Sequence, residues 1–155
     1  MTRPRWNRVF RIGLLVAAGV LVLAQAVPYG RDHTNPPVVA EPAWDRPETR
    51  ALADRACFDC HSNVTRWPWY SHVAPLSWGI QHHVDEGREE LNFSEWNRTF
   101  DEADEAGDVV REQEMPPRSY LLLHPEARLT PAERDELARG LDASLSIVGV
   151  TRAAR

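Results

Sequence analysis

The longest hydrophobic run of the chain lies close to its N-terminus. Residues 12–27, "IGLLVAAGVLVLAQAV", are apolar except for one glutamine and contain no charged residue. The eleven residues before them contain four arginines and no acidic residue. A basic segment followed by an apolar run is typical of a secretory signal peptide or a membrane anchor.

The sequence leaves cleavage of this segment open. The run is near the lower limit for a bilayer-spanning helix, which usually needs about 20 residues. The small residues Ala24 and Ala26 fit a signal-peptidase site, whereas the apolar character continues past that point and favours a retained anchor. Residues 1–27 are therefore predicted to be a signal peptide or an anchor. Everything after them is predicted to be exported, periplasmic or otherwise extracytoplasmic, and either membrane-anchored or secreted.

A proline-rich segment follows, over residues 28–45. Its prolines exclude a continuous helix, so we predict an extended linker or a strap laid over the next domain. Val38, Val39 and Trp44 favour partial packing of this segment.

The spacing of apolar residues then predicts helices. A first helix is expected over residues 46–57, with Asp45 as its N-cap. Leu52, Ala56 and Cys60 are spaced by four residues, so the buried face of this helix leads directly to the two cysteines of the chain.

Three further helices are predicted towards the C-terminus. One spans residues 77–87, and one runs from residue 92 or 94 to 106 with its aromatic residues on one face. The last begins at Thr130, where Pro131 and Glu133 suit the first turn and a capping box. No β-alternation is present, so residues 46–150 are predicted to form a small all-α domain.

Charge narrows the range of partners. All 23 acidic residues follow residue 31, and the chain contains no lysine, so the exported part is strongly acidic. Nucleic-acid binding needs clustered positive charge and is not expected. A basic protein partner is compatible with this charge, although runs such as residues 101–114 are also typical of solvated surfaces.

The two cysteines carry the most specific chemical signal. Cys57, Cys60 and His61 form C-x-x-C-H, the pattern of covalent c-type haem attachment. Two intervening residues allow one turn of chain to reach both haem vinyl groups, and the adjacent histidine is then the proximal iron ligand. One haem c is therefore the predicted cofactor.

The sequence argues against two other uses of the cysteines. A structural zinc site would need four ligands, and no second Cys or His pair with zinc spacing accompanies the motif. A redox disulfide would suit an exported protein, but no βαβ pattern surrounds this pair.

A c-type electron carrier needs a second axial ligand. Met115 is the predicted one, because it is the only methionine besides Met1 and lies in the proline-stiffened loop "EMPPRSY". Four histidines are the rival candidates: His72, His82, His83 and His124.

Residues around the haem can also be predicted. The carbonyl of Pro75 is a candidate acceptor for the second ring N–H of His61, since ligating histidines nearly always donate it. Four side chains are predicted at the haem edge, because they have polar groups suited to the haem propionates or rings suited to packing on the porphyrin. They are Arg66, Trp67, Trp69 and Tyr70.

The chain resembles a family of exported bacterial haem-binding domain proteins of the cytochrome c superfamily. The resemblance covers about Tyr29 to Leu141 and lies in "YGRDHTNPPV", "EPAWDRPETRALADRACFDCHSN", "TRWPWYSHVAPLSW", "GREELNFSEW" and "EMPPRSYLLLHPEARLT". It implies a small cytochrome c-like domain with one covalent haem on Cys57 and Cys60, and His61 as axial ligand. The superfamily pattern implies Met115 as the other ligand.

These observations predict a mono-haem electron carrier rather than an enzyme, with redox proteins as partners. A peroxidase-type enzyme or a haem-based redox or gas sensor is the alternative, and either would require an open or exchangeable sixth ligand. If residues 12–27 are retained, the protein also binds the membrane.

Overall fold

The structure is a computed structural model that describes residues 3–145, with side chains from Trp6 onward. The predicted all-α class is confirmed, because residues 3–145 contain α-helices, three short 3₁₀ helices and one isolated β-bridge, but no strand. The predicted domain end at residue 150 lies outside this range. The helices are α1 (Arg3–Ala24), α2 (Pro47–Ala56), α3 (Phe58–His61), α4 (Leu76–Glu90), α5 (Ala106–Arg111), α6 (Arg118–Leu123) and α7 (Pro131–Leu145).

The chain forms two compact units. Residues 3–33 and 67–82 make the first unit, and residues 34–66 and 83–145 make the second. The second unit contains five of the residues that are predicted to form the haem site: Cys57, Cys60, His61, Arg66 and Met115.

Helix α1 contains a 19-residue stretch, Trp6–Ala24, that is long and apolar enough to cross a membrane. None of this stretch is buried within the structure. The helix therefore has the length and surface of a membrane anchor or a signal sequence.

The core of the second unit is built by α2, α3, α5 and α7. Leu137 and Ala138 of α7 are fully buried, and they pack in one cluster with Leu52 of α2 and Phe58 of α3. Phe93 joins the same cluster and stacks on Phe58, with ring centroids 5.6 Å apart. This aromatic and aliphatic core fixes the position of α3.

Part of the predicted strap packs on this core. The backbone N–H groups of Val39 and Ala40 donate to the Ser94 carbonyl, and the Ala40 carbonyl accepts from the Trp96 N–H. Trp44 packs against the core cluster, with its ring 5.3 Å from that of Phe93. Residues 38–44 therefore form an ordered part of the second unit.

Helix α2 confirms the first predicted helix, but its N-cap prediction is wrong. The cap position is Arg46, which makes no side-chain capping bond, and Pro47 occupies the first turn. Asp45 is instead tied to α7, because its backbone N–H donates to Ser144 Oγ over 3.0 Å.

The prediction of a helix over residues 92–106 is also wrong. The backbone N–H of Phe93 donates to the His61 carbonyl over 2.9 Å, and that of Trp96 donates to the Ala40 carbonyl over 3.0 Å. These long-range bonds replace the i→i−4 bonds that a helix requires. Helical structure begins only at the C-terminal end of the predicted span, in a 3₁₀ turn followed by α5.

The remaining helices follow the sequence more closely. Helix α4 was predicted, although it is longer than residues 77–87, whereas α6 was missed and lies where a loop was expected. The capping box of α7 is confirmed: the Thr130 N–H donates to the Glu133 carboxylate over 2.8 Å, and the Glu133 N–H lies 3.3 Å from Thr130 Oγ1.

Acid should weaken the start of α7 through Glu133. The backbone hydrogen bond from Thr130, and then the bond from Arg55, lower the pKa of Glu133 from its ordinary value to about 2. A lowered folded-state pKa means that the ionised carboxylate stabilises the fold above the ordinary pKa, and that this contribution disappears as the pH falls towards 2. We expect the Glu133→Gln variant to have a smaller decrease of melting temperature between pH 6 and pH 2 than the unsubstituted protein. Equal decreases in thermal melts followed by circular dichroism would contradict this role, and Glu126→Gln is the control.

Candidate functional site

One helical turn brings the C-x-x-C-H residues together. Cys57 ends α2, and its carbonyl accepts hydrogen bonds from the N–H groups of Cys60 over 3.1 Å and His61 over 2.9 Å. The two thiols and the imidazole therefore lie on one helical turn, formed by Cys57 and α3, and Phe58 anchors this turn in the core.

Both thiols are free and partly buried. Burial, and then the nearby Cys60, raises the pKa of Cys57 to about 12, while burial and then Asp59 raise the pKa of Cys60 to about 11. The two groups are therefore neutral S–H groups at physiological pH. Metal binding would require thiolates, and within residues 3–145 no group of three or more His, Cys, Asp or Glu side chains is arranged to hold a metal ion.

The imidazole of His61 is held by two carbonyl groups. Its Nδ1 lies 2.8 Å from the Gly87 oxygen and 3.1 Å from the Leu91 oxygen. Carbonyl oxygens only accept, so Nδ1 carries the proton and Nε2 carries the lone pair. Burial lowers the pKa of His61, against a smaller opposing effect of these two bonds, and the ring is neutral. A neutral imidazole with a fixed tautomer is what a metal centre requires of a histidine ligand.

The carbonyls that accept the His61 N–H, those of Gly87 and Leu91, differ from the one that the sequence suggested. Pro75 was the candidate, but the His61 ring contacts two other carbonyls, and the Pro75 carbonyl accepts the Trp78 N–H over 3.1 Å. Gly87 and Leu91 lie at the C-terminal end of α4 and just beyond it. The Gly87 carbonyl also accepts the Leu91 N–H over 3.0 Å, so it serves both the end of the helix and His61.

Arg88 fixes this end of α4 to the chain that follows His61. Its guanidinium donates to the Ser62 carbonyl over 2.8 Å, to Thr65 Oγ1 over 2.9 Å and to the Thr34 carbonyl over 3.0 Å. Arg88 therefore ties the end of α4, whose carbonyls orient His61, to the residues that directly follow His61 in the chain.

Asp59, between the two cysteines, is the residue that the sequence interpretation missed. It is 8% exposed. Its carboxylate accepts from the Tyr120 hydroxyl over 2.7 Å, from Arg66 Nε over 2.9 Å and from the Arg66 backbone N–H over 3.1 Å. Asp59 therefore joins the cysteine helix to α6. An acidic residue within C-x-x-C was the available signal, but its partner lies 61 residues away along the chain.

Met115 lies just before α6. Its side chain is partly buried and packs against the same core cluster as Cys57, and its backbone N–H donates to the Val109 carbonyl over 3.2 Å. A small cleft beside it is lined by Gln113, Met115, Pro116, Arg118, Leu121, Leu129 and Arg134. Met115 thus packs against the apolar core and lines a cleft to which Arg118 and Arg134 also contribute.

Comparison with known protein families decides the class of this site. The haem-binding domain family matches residues 19–143, which is most of the chain. The chain belongs to the haem-binding domain family. No curated protein and no solved structure matches it.

The residues present fit the haem of this family. The donor set consists of two neutral thiols on one helical turn and a neutral imidazole whose Nε2 lone pair is available. Cys57 and Cys60 would hold the vinyl side chains of the haem, and His61 would hold its iron. Haem as the ligand is thereby supported by the family and by the chemistry of these donors.

The structure assigns other contacts to Arg66. In addition to the bonds from Arg66 to Asp59, its guanidinium donates to the Asp54 carbonyl over 2.6 Å. Arg66 therefore links α3, through Asp59, to α2, through Asp54. Its predicted contact with haem propionates stays a prediction.

The predicted aromatic residues lie in the first unit. Trp67 stacks on His33 with ring centroids 4.5 Å apart, and Trp69 meets Tyr70 edge-on at 5.8 Å. Their predicted packing on the haem stays a prediction.

The rival axial ligands are distributed over both units. His72 packs edge-on against His33 at 4.2 Å in the first unit, which also contains the exposed His82. In the second unit His83 is exposed, and His124 stacks on Tyr120 at 3.9 Å while its Nδ1 lies 3.0 Å from the Tyr120 carbonyl. His124 is the rival that lies closest in the chain to the Met115 loop.

Proposed function

We propose that this haem-binding domain protein is an exported mono-haem c-type cytochrome that carries electrons. Cys57 and Cys60 would each form a thioether bond to the haem, and His61 and Met115 would be the axial ligands of the iron. The observation that supports this proposal best is the hydrogen bonding of His61, which holds the proton on Nδ1 and leaves Nε2 to bind iron.

The chain's own residues account for the remaining requirements of an electron carrier. When bound, haem iron supplies a one-electron Fe(III)/Fe(II) couple. The Gly87 and Leu91 carbonyls keep the imidazole in one orientation and increase its basicity as a ligand. Phe58 and the buried cluster around it keep water away from one side of the cysteine helix. A rigid, partly dry site keeps structural rearrangement small when an electron arrives or leaves.

Location and partners follow from the sequence and from α1. We propose that α1 is retained as a membrane anchor and that the haem site is periplasmic or otherwise extracytoplasmic. The acidic exported part suits a basic redox protein as partner, with association that weakens as salt is added.

Covalent attachment is the first test of the proposal. The full chain is expressed together with a c-type haem maturation system, and the denatured protein is examined by intact mass and by haem staining after gel electrophoresis. We expect the mass of one haem on the unsubstituted chain and none on the Cys57→Ser/Cys60→Ser variant. A denatured chain that has lost its pigment, with thiols free or bridged to each other, would rule out a c-type cytochrome.

Ligation by Met115 is tested separately. We expect the oxidised protein to be low-spin with the weak far-red absorption of an iron–sulfur(Met) bond, and Met115→Ala to abolish that band because no other described methionine is near. Leu129→Ala removes a neighbouring apolar side chain of the same cleft and should leave the band in place. An unchanged spectrum in Met115→Ala would exclude this ligand, and a high-spin resting spectrum in the unsubstituted protein would instead favour a peroxidase or a sensor.

A further inference from the structure

The end of α1 is built into the first unit rather than simply preceding it. The side-chain amide of Gln25 donates to the Ala74 carbonyl over 2.9 Å, and its oxygen accepts the Ala74 N–H over 3.1 Å. The Arg31 guanidinium donates to the Gln25 backbone carbonyl. Gln25 therefore satisfies both backbone groups of a residue 49 positions further along the chain.

Gly30 strengthens the same connection. It is buried with a φ of +76°, and a Cβ at this position would overlap the Ser77 carbonyl. Backbone in this conformation and at this distance is open only to glycine. The chain that leaves α1 is thus packed against the segment around Ala74.

Cleavage at the small-residue site would break this arrangement. A signal peptidase acting after Ala26 would remove Gln25 and leave the Ala74 N–H and carbonyl without these partners. The structure therefore favours a mature protein that keeps α1.

The surface of the first unit has an unusual composition. Residues 67–82, "WPWYSHVAPLSWGIQH", contain three tryptophans and a tyrosine but no Asp, Glu, Lys or Arg, in a chain with 26% charged residues. Large apolar side chains of this segment and of the chain after α1 are exposed: Val27 at 44%, Tyr29 at 46%, Trp69 at 78%, Val73 at 42% and Leu76 at 55%.

Lipid is the occupant that these observations select. The exposed side chains belong to the same compact unit as the end of an apolar helix that is itself exposed along its length. Tryptophan and tyrosine are enriched where membrane proteins meet the headgroup region, and uncharged segments tolerate partial burial there.

We propose that residues 27–29 and 67–76 form a membrane-interface surface that lies in the headgroup region of the bilayer crossed by α1. This inference rests on the proposed retention of α1, and it is independent of how the haem is attached. Its consequence is that the first unit has a fixed orientation on the membrane instead of moving freely on a tether.

Spin labels measure this contact directly. Leu76→Cys and, separately, Val73→Cys are introduced into the full haem-loaded chain in nanodiscs of phosphatidylethanolamine and phosphatidylglycerol. Each variant is labelled with a nitroxide and power-saturated under nitrogen, oxygen and a water-soluble nickel chelate. The matched control is Leu122→Cys, an apolar residue of the second unit that is 75% exposed. Both test positions are exposed, so labelling there should not disturb folding, and the haem spectrum checks this.

We expect the ratio of oxygen to chelate accessibility to be severalfold higher at residues 73 and 76 than at residue 122, because oxygen concentrates in lipid and the chelate stays in water. Equal ratios would overturn the proposal, as would labels at 73 and 76 that neither reagent reaches. Intact mass separates the causes: a mature chain that begins after Ala26 refutes the retained anchor while leaving the cytochrome proposal intact. Uptake of label by Cys57 or Cys60 would instead count against covalent haem.

Discussion

Replacing Asp59 by alanine is expected to lower the free energy of unfolding by about 2–4 kcal/mol, because a buried carboxylate with three donors disappears. The Tyr120 hydroxyl then loses its acceptor in a partly buried place, which is the larger part of the cost. Arg66 loses less, since its side chain is 56% exposed and can turn to water. Burial and the bond to Asp59 also raise the pKa of Tyr120, so the tyrosine stays a donor throughout the physiological range.

Thermal melts of the full haem-loaded protein, followed by circular dichroism, measure this effect. Tyr120→Phe removes only the hydroxyl and should cost about 1–2 kcal/mol. Asp54→Ala is the matched control, because Asp54 is an exposed partner of Arg66 at 3.5 Å and should contribute at most about 0.5 kcal/mol. If Asp59→Ala and Asp54→Ala melted at the same temperature, the link from the cysteine helix to α6 would have no energetic importance.

Replacing Gly87 by alanine is expected to damage the site itself. A Cβ at this position would lie 2.8 Å from the Cys60 carbonyl oxygen and 3.1 Å from Cys60 Cβ. Because these are atoms of the backbone and of Cys60, a proposed attachment residue, the contact can be relieved only by moving α3 or α4. Overpacking of this kind costs about 1–3 kcal/mol. It also moves the carbonyl that holds His61 Nδ1.

The same helix provides the control. Gly79→Ala places a Cβ where nothing lies within 4 Å, and it should stabilise α4 by about 0.5–1 kcal/mol, as glycine-to-alanine changes within helices do. Opposite signs of the two changes in melting temperature, with a lower yield of covalent haem only in Gly87→Ala, are the expected result. If Gly87→Ala behaved like Gly79→Ala, the close approach of α4 to Cys60 would be refuted.

Features that depend on neighbours in sequence were predictable. The capping box of α7 links Thr130 and Glu133, three residues apart, and forms as expected. The C-x-x-C-H motif likewise needs only one helical turn, which the bonds from Cys60 and His61 to the Cys57 carbonyl provide. Local hydrogen bonds of this kind join groups that are close in sequence, so residue identity and spacing are enough to predict them.

Residues 92–106 show where that logic fails. Their apolar spacing fits a helix, but the Phe93 and Trp96 N–H groups donate to distant carbonyls, those of His61 and Ala40. Spacing indicates which side chains are buried, and Phe93 is indeed in the core. It does not reveal which acceptors the folded chain brings to each N–H group.

The sequence by itself determined the all-α class, the apolar N-terminal helix, the resemblance to the haem-binding family and the C-x-x-C-H motif. Only the tertiary structure decided which carbonyls fix the tautomer of His61, which hydroxyl meets Asp59 and which residue receives Gln25. The physical reason is distance along the chain. Each of these contacts joins groups 26 to 61 residues apart. Such pairs meet only after packing of the helices has fixed the path of the backbone between them.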